Sequence, residues 1–296
     1  MVNTKFYYGT AGWSYKDWVP NFYPKNQSDN FDWLKYYSRY FNCVEVNSSY
    51  YTYLNPKIVS GWIEKISETD DFTFAVKLHQ DFTHKRNFDQ QKINAVIYIL
   101  EMLRKAEKFG GLLLQLPYSF SFNESNSNYV KKLNEIFKGF QCFIEVRHKS
   151  WLNKEAIELL EHLNLGYTTI DQPLIGEALP FEPVVINDKA YFRFHGRNEE
   201  AWKKSLNNFG KKQTYEEKNA RYNYLYTPGD IVKIKQKIEP VLPTIKAVFF
   251  VFNNHPNGKA PAGVFLLINS FEEKRIDIPP NMIKAFPFLQ NIALPV

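Results

Sequence analysis

The feature that most constrains this chain is a rhythm of short apolar runs, each closed by polar residues. "KFYYGTAGW", "CVEVNSSY", "FTFAVKLH", "GGLLLQLP", "CFIEVRH", "GYTTID", "AYFRFHG" and "KAVFFVFNN" are rich in β-branched and aromatic residues and are bounded by turn formers, the mark of strands. Segments with helical spacing lie between them. "INAVIYILEMLRKAEKF" puts Ile93, Val96, Ile97, Leu100 and Leu103 on one face; "KEAIELLEHL" and "DIVKIKQKIEPVL" repeat the pattern; "NPKIVSGWIEKI" offers Pro56 as a first helical residue. Eight strands alternating with helices every roughly thirty residues predict a parallel (β/α)8 barrel of the TIM type. One domain is expected over 1–296, with strands near 5–10, 42–47, 72–79, 111–116, 141–147, 166–171, 189–195 and 246–253. An open doubly wound sheet is the weaker alternative, because no phosphate-loop or dinucleotide glycine fingerprint follows the first strand.

Two stretches stand apart from the rhythm. Residues 196–228, after the seventh strand, are long, polar and mixed in charge, the form of a functional lid or insertion. The tail 275–296 is apolar and interrupted by proline, so it is expected to pack on the barrel. Cys43 and Cys142 sit in apolar runs without metal-ligand spacing and read as reduced core thiols. The N-terminal "MVNTKFYYGT" has no signal-peptide pattern, and no apolar run approaches the ~20 residues of a membrane span. The expectation is a cytoplasmic protein with no membrane partner.

The polar strand ends carry the functional reading. Side chains alternate along a strand, so residues two apart share a face. That grouping yields Glu45 and Asn47, Lys77 and His79, Gln115, Glu145 and Arg147, Asp171, Arg193 and His195, then Asn253 and His255. In each of these strands the apolar half comes first. A parallel barrel therefore collects the polar ends at its C-terminal face, where barrel enzymes carry their sites. A buried Glu145–Arg147 pair taken alone is equally explained as a structural ion pair; the ring over seven strands favours a site.

The motifs "GTAGWSYKDW", "FNCVEVNSSYY", "FAVKLHQDFTH", "FIEVRHKSW", "YFRFHGRN", "RYNYLYT" and "FNNHPNGKA" resemble, in order, the YecE-like family, a bacterial and archaeal family of unknown function. The likeness runs from about Phe6 to about Ala262. It implies a TIM barrel and supplies no reaction. It departs in "GKAPAGVFLLINSF", where the family implies a more polar helix.

With net charge +6 and a pI of about 9.0, an anionic small molecule or a nucleic acid is the expected ligand. Arg147, Arg193 and Lys77 are the expected clamp for a phosphate, since guanidinium forks match planar oxyanions. Glu145 or Asp171 is the candidate base, and His195 or His79 the candidate acid. The loops "HGRN" and "NNHPNGKAP" add Arg197, Lys259 and a helix start near Pro261. Trp13, Tyr15, Trp18 and Trp151 are candidates for stacking a base or sugar. Lys203, Lys204, Lys211, Lys212, Lys218 and Arg221 could meet a polyanion, although interleaved glutamates also fit a solvated face. No cofactor is predicted. A divalent metal stays open, but Lys77, Arg147 and Arg193 would repel it. Two rival readings remain: a glycosidase-like hydrolase using Glu145 and Asp171, and a non-catalytic nucleic-acid-binding barrel.

Overall fold

The computed structural model describes residues 4–208 and 214–295. Lys211 and Lys212, and the first three residues of the N-terminal stretch, lie outside them. Eight strands form a closed barrel: β1 Lys5–Ala11, β2 Cys43–Val46, β3 Thr73–Lys77, β4 Phe109–Gln115, β5 Cys142–Glu145, β6 Gly166–Asp171, β7 Lys189–Phe194 and β8 Ala247–Phe252. All neighbours pair in parallel, and β8 returns to β1. The fold is the expected (β/α)8 barrel.

The helices are α1 Trp33–Ser38, α2 Pro56–Lys65, α3 Gln80–Thr83, α4 Gln90–Lys105, α5 Glu124–Ile136, α6 Lys154–His162, α7 Glu199–Asn207, α8 Tyr215–Asn219, α9 Pro228–Ile238, α10 Lys259–Glu272 and α11 Pro280–Ala285. Local chemistry starts several of them. Asn55 caps α2 through the Lys57 amide with Pro56 in the first turn, and Asn123 and Asn153 cap α5 and α6; such a cap contributes about 1 kcal/mol. The apolar "APAGVFLL" stretch, where the family resemblance departs, does form a helix, α10, and its residues 260–267 are buried. Helix α10 packs against β1, β8 and α9, so its apolar surface is covered. The long connection after β7 holds two short helices, α7 and α8, and the tail folds back as α11 with Met282, Phe286 and Leu289 buried.

Register decides which face each residue takes. Ala11, Cys43, Ala75, Leu113, Phe143, Tyr191, Phe249 and Val251 pack together in the lumen. Phe143 fits there because its neighbours are glycines: a Cβ on Gly111 or Gly166 would come within 2.7 or 2.5 Å of its ring. In β6, Thr168 pairs with Tyr191 and Ile170 with Arg193, while Asp171 pairs with Phe194. Paired residues of a sheet point to the same side. Asp171 therefore faces the helical layer, not the lumen.

Candidate functional site

Above the aromatic layer, the strand ends build a charged cluster around Arg193. Arg193 is 1% exposed and Glu45 and Glu145 are fully buried. The Arg193 Nη2 donates to Glu45 Oε1 at 2.6 Å, and its Nη1 donates to Glu145 Oε2. Tyr191, two residues earlier on the same face of β7, donates its hydroxyl to Glu45 Oε2 at 2.8 Å. Arg147 closes the other side of Glu145, with Nε at 2.9 Å and Nη2 at 2.6 Å from Oε1. One guanidinium thus bridges two carboxylates, and a second, that of Arg147, contacts Glu145 and His195 through Nε and Nη2 while its Nη1 has no hydrogen-bond partner among the described residues. Burial works hardest against the Glu145 charge, yet Arg193, Arg147 and the His195 contact together hold its carboxyl well below the usual range.

His195 lies beside this cluster, fully buried. Asn47 Nδ2 donates to Asn253 Oδ1 at 3.4 Å, and Asn253 Nδ2 stands 3.0 Å from His195 Nδ1. The His195 Nε2 stands 3.5 Å from Glu145 Oε1 and 3.3 Å from Arg147 Nη2, so the ring edge lies between a carboxylate acceptor and a guanidinium donor. Burial, with Arg147 next in size, pushes this imidazole down to about 3, so it is neutral at pH 7. Gln115 pairs with Glu145 in register and donates to the Leu116 carbonyl.

Lys77 reaches the same space from β3; its carbonyl accepts from Ser49, and its ammonium makes no salt bridge or hydrogen bond among the described residues. Its Nζ sits 4.3 Å from the centroid of the Tyr50 ring. Burial first, then Arg193, lowers it to about 7, with Glu45 and Glu145 opposing. The long connection supplies the opposite wall. The Arg147 and Arg221 guanidiniums both approach the Trp202 ring, 5.8 and 5.3 Å from its centroid, and Arg221 also covers Tyr222 at 4.7 Å. The Arg221 Nε is buried and has no partner among the described residues. Trp202 and Tyr222 approach the His195 ring at 6.3 and 6.2 Å.

Several expected residues lie elsewhere. Asp171 is bound to Arg197 Nε at 3.0 and 2.9 Å and to the Tyr226 hydroxyl at 2.5 Å; Arg197 also bonds Asp230 at 3.0 Å. Burial outweighs those partners and raises the Asp171 carboxyl. The pairing of Glu145 with Asp171 that a glycosidase would need is split across the two faces of the sheet. His79 caps α3 through Nδ1 and the Asp81 amide at 3.1 Å and stacks on Tyr53. It belongs to a small cluster with Asp81, Lys85 and Lys92. Trp151 is fully buried, stacks on Phe120 and donates to its carbonyl at 2.7 Å, so it fills core and does not line the mouth. His255 stacks on Tyr15 with centroids 4.6 Å apart, while Trp13 lines a separate groove of about 610 Å³ between the first loop, α1 and α2. Near the start of α10, the Asp17 carboxylate already accepts from the Asn257 amide at 2.8 Å, and Lys259 contacts Asn223. The loops after β7 and β8 are thus bound to protein groups.

A family model described as "Protein of unknown function DUF72" matches residues 7–284. The chain belongs to DUF72. Similar proteins include the UPF0759 protein YunF of Bacillus subtilis, 27% identical over 86% of this chain and 90% of that one. Another is the UPF0759 protein YecE of Escherichia coli K12, 29% identical over 54% of each. A crystal structure of a DUF72 family protein from Thermotoga maritima superposes with a TM-score of 0.77 at 27% identity, covering 91% of this chain and all of that one.

Within this DUF72 barrel, alternation located Glu45, Glu145, Arg147, Arg193, His195, Asn253 and Lys77 at one end of the lumen. It missed Tyr191, Tyr50, Trp202 and Tyr222. The i, i+2 spacing of Tyr191, Arg193 and His195 was a signal for the first; the others had none, because they come from connections. Arg221, part of a basic run with a solvated-face reading, is half-buried at the mouth, whereas Lys203 and Lys204 are exposed. Among the described residues no three His, Cys, Asp or Glu side chains are grouped as metal ligands, and no helix is long and apolar enough to cross a membrane.

Proposed function

We propose that this DUF72 barrel is an enzyme that binds a phosphate-bearing substrate at its C-terminal mouth. The observation that carries the reading is a surplus of positive charge. Arg147 and Arg221, the permanent cations of the mouth, converge with the Lys77 amine on walls formed by Tyr50, Trp202 and Tyr222. The carboxylates that act on Lys77 are Glu45 and Glu145, and both are held by Arg193. An entering dianion would meet guanidinium donors beside buried groups, where charge is weakly screened. Arg193 holds the floor of the site and Arg147 and Arg221 hold the ligand. The aromatic walls suit a ring or an apolar ester group beside the phosphate. Acid–base chemistry falls to Lys77 and the Glu145–His195 pair, since His79 and Asp171 lie outside the mouth.

Calorimetric titration with inorganic phosphate and phenyl phosphate tests the reading. Both should bind competitively, Arg147→Gln or Arg221→Gln should weaken each by about tenfold, which is ~1.4 kcal/mol, and Arg197→Gln should leave them unchanged. Absence of binding to the unaltered protein would sink it. Tight binding of a single-stranded oligonucleotide, steeply salt-dependent and indifferent to Arg147→Gln, would favour a nucleic-acid-binding barrel instead.

A further inference from the structure

We propose that Lys77 is a carbonyl-reactive amine, so that the substrate of this mouth is a phosphate-bearing aldehyde or ketone held as an imine on Lys77 Nζ. The phosphate in that statement rests on the reading above; the amine chemistry does not.

The geometry of Lys77 is unusual for a lysine beside two carboxylates. Glu45 on β2, which pairs with Ala75, and Glu145 on β5 both face the lumen and act on the Lys77 charge, yet neither bonds it. Their oxygens are taken by Arg193, Tyr191 and Arg147. The ammonium is left against the Tyr50 ring, half-buried, with no hydrogen-bond or salt-bridge acceptor among the described residues. A group that merely balanced charge would be expected to pair with one of those carboxylates. The charged groups acting on it from the surrounding elements are Glu45, Glu145, Arg147 and Arg193, with His84 also close enough to feel its charge. Desolvation and the two guanidiniums disfavour the ammonium, and the free base at neutral pH is the nucleophile such chemistry needs.

The step balances without an external oxidant or reductant. The Lys77 lone pair attacks the carbonyl carbon, a C–N bond forms, and the carbonyl oxygen takes a proton to give a carbinolamine. Protonation of that hydroxyl and loss of water break the C–O bond and leave the iminium. Hydrolysis reverses it. An iminium at this point would lie over the Tyr50 ring and beside Glu145, which favour its positive charge.

Reductive trapping on the full chain tests the proposal. Glycolaldehyde phosphate and unphosphorylated glycolaldehyde are added at pH 7 with cyanoborohydride, and the modified lysines are mapped by peptide mass. Lys77 should be modified at least tenfold faster than any other lysine, with a rate that inflects near pH 7, and Lys77→Arg should remove that adduct alone. Modification spread evenly over the lysines, or absent from Lys77, would overturn the proposal; because it is read on the unaltered protein, it does not depend on a variant folding. If Lys77 stays unreactive while phosphate binds and Arg147→Gln weakens it, the amine proposal fails and the anion reading stands. If both aldehydes modify Lys77 equally and inorganic phosphate does not compete, the anion reading fails and the amine proposal stands.

Discussion

Two carboxylate–guanidinium clusters lie on opposite faces of the same sheet. On the lumen side, Arg193 bridges Glu45 and Glu145, and Arg147, Lys77 and Arg221 remain toward the opening. On the helix side, Arg197 joins Asp171 and Asp230, with Tyr226 completing the Asp171 shell. The outer cluster is complete: one cation, two carboxylates, and the protein amides and hydroxyls that satisfy them. The inner one is overbalanced toward positive charge and opens on aromatic walls. A buried ion pair is therefore not in itself a site, because burial demands a partner whatever the role. What distinguishes the lumen is the charge left over after pairing.

The sharpest way to break this comparison is to remove each arginine. Arg193→Met would leave two carboxylates buried without a counter-charge and should cost about 3–5 kcal/mol in urea unfolding; a loss below about 1 kcal/mol would mean that the bridge is not what holds β2, β5 and β7 together. The next effect is a pH dependence. His195 is lowered to about 3, so between that value and the unfolded ~6.5 the unfolded chain binds the extra proton, and stability falls as pH falls. At pH 5 the loss from this group is about 2 kcal/mol. Glu145 adds a loss of the same sign below about pH 4.3, since its folded value is depressed. His195→Asn should flatten the unfolding profile between pH 7 and 5; an unchanged slope would refute the neutral, desolvated imidazole.

Smaller effects separate the two faces. Arg197 is 30% exposed, so Arg197→Met lets water reach Asp171 and should cost only about 1–2 kcal/mol, with phosphate affinity unaltered. An affinity loss there would join in chemistry the two clusters that the sheet divides in space. Lys203→Ala removes an exposed pair with Glu199 and should change stability by less than about 0.5 kcal/mol and phosphate binding not at all. A clear drop in phosphate affinity would extend the site outward along α7.

The legibility of these features in the sequence follows from local contrast. "CVEV", "CFIEV" and "YFRFH" alternate bulky apolar and charged residues, so Glu45, Glu145 and Arg193 could be assigned to one face without coordinates. "GYTTID" offers no such contrast. Threonines occupy both faces, and the parity of Asp171 depends on Gly166 standing beside Phe143 and Thr168 beside Tyr191. Trp151 misled for a related reason: an indole after a polar motif resembles a stacking platform, but its partner Phe120 comes from another connection. Trp202, Arg221 and Tyr50 are brought together from connections after β7 and β2, far apart along the chain, and no local pattern links them.

By itself, the sequence determined the number of strands, the helices between them, and the gathering of polar residues at one end, because alternation and apolar spacing are properties of neighbours along the chain. Only the tertiary structure decided which of those polar residues neutralise one another. Barrel closure sets the distances at which Arg193 satisfies two carboxylates and Lys77 satisfies none, and both Coulomb attraction and desolvation depend on those distances. In this barrel the unpaired amine is a consequence of closure, and it could not have been read from any one strand.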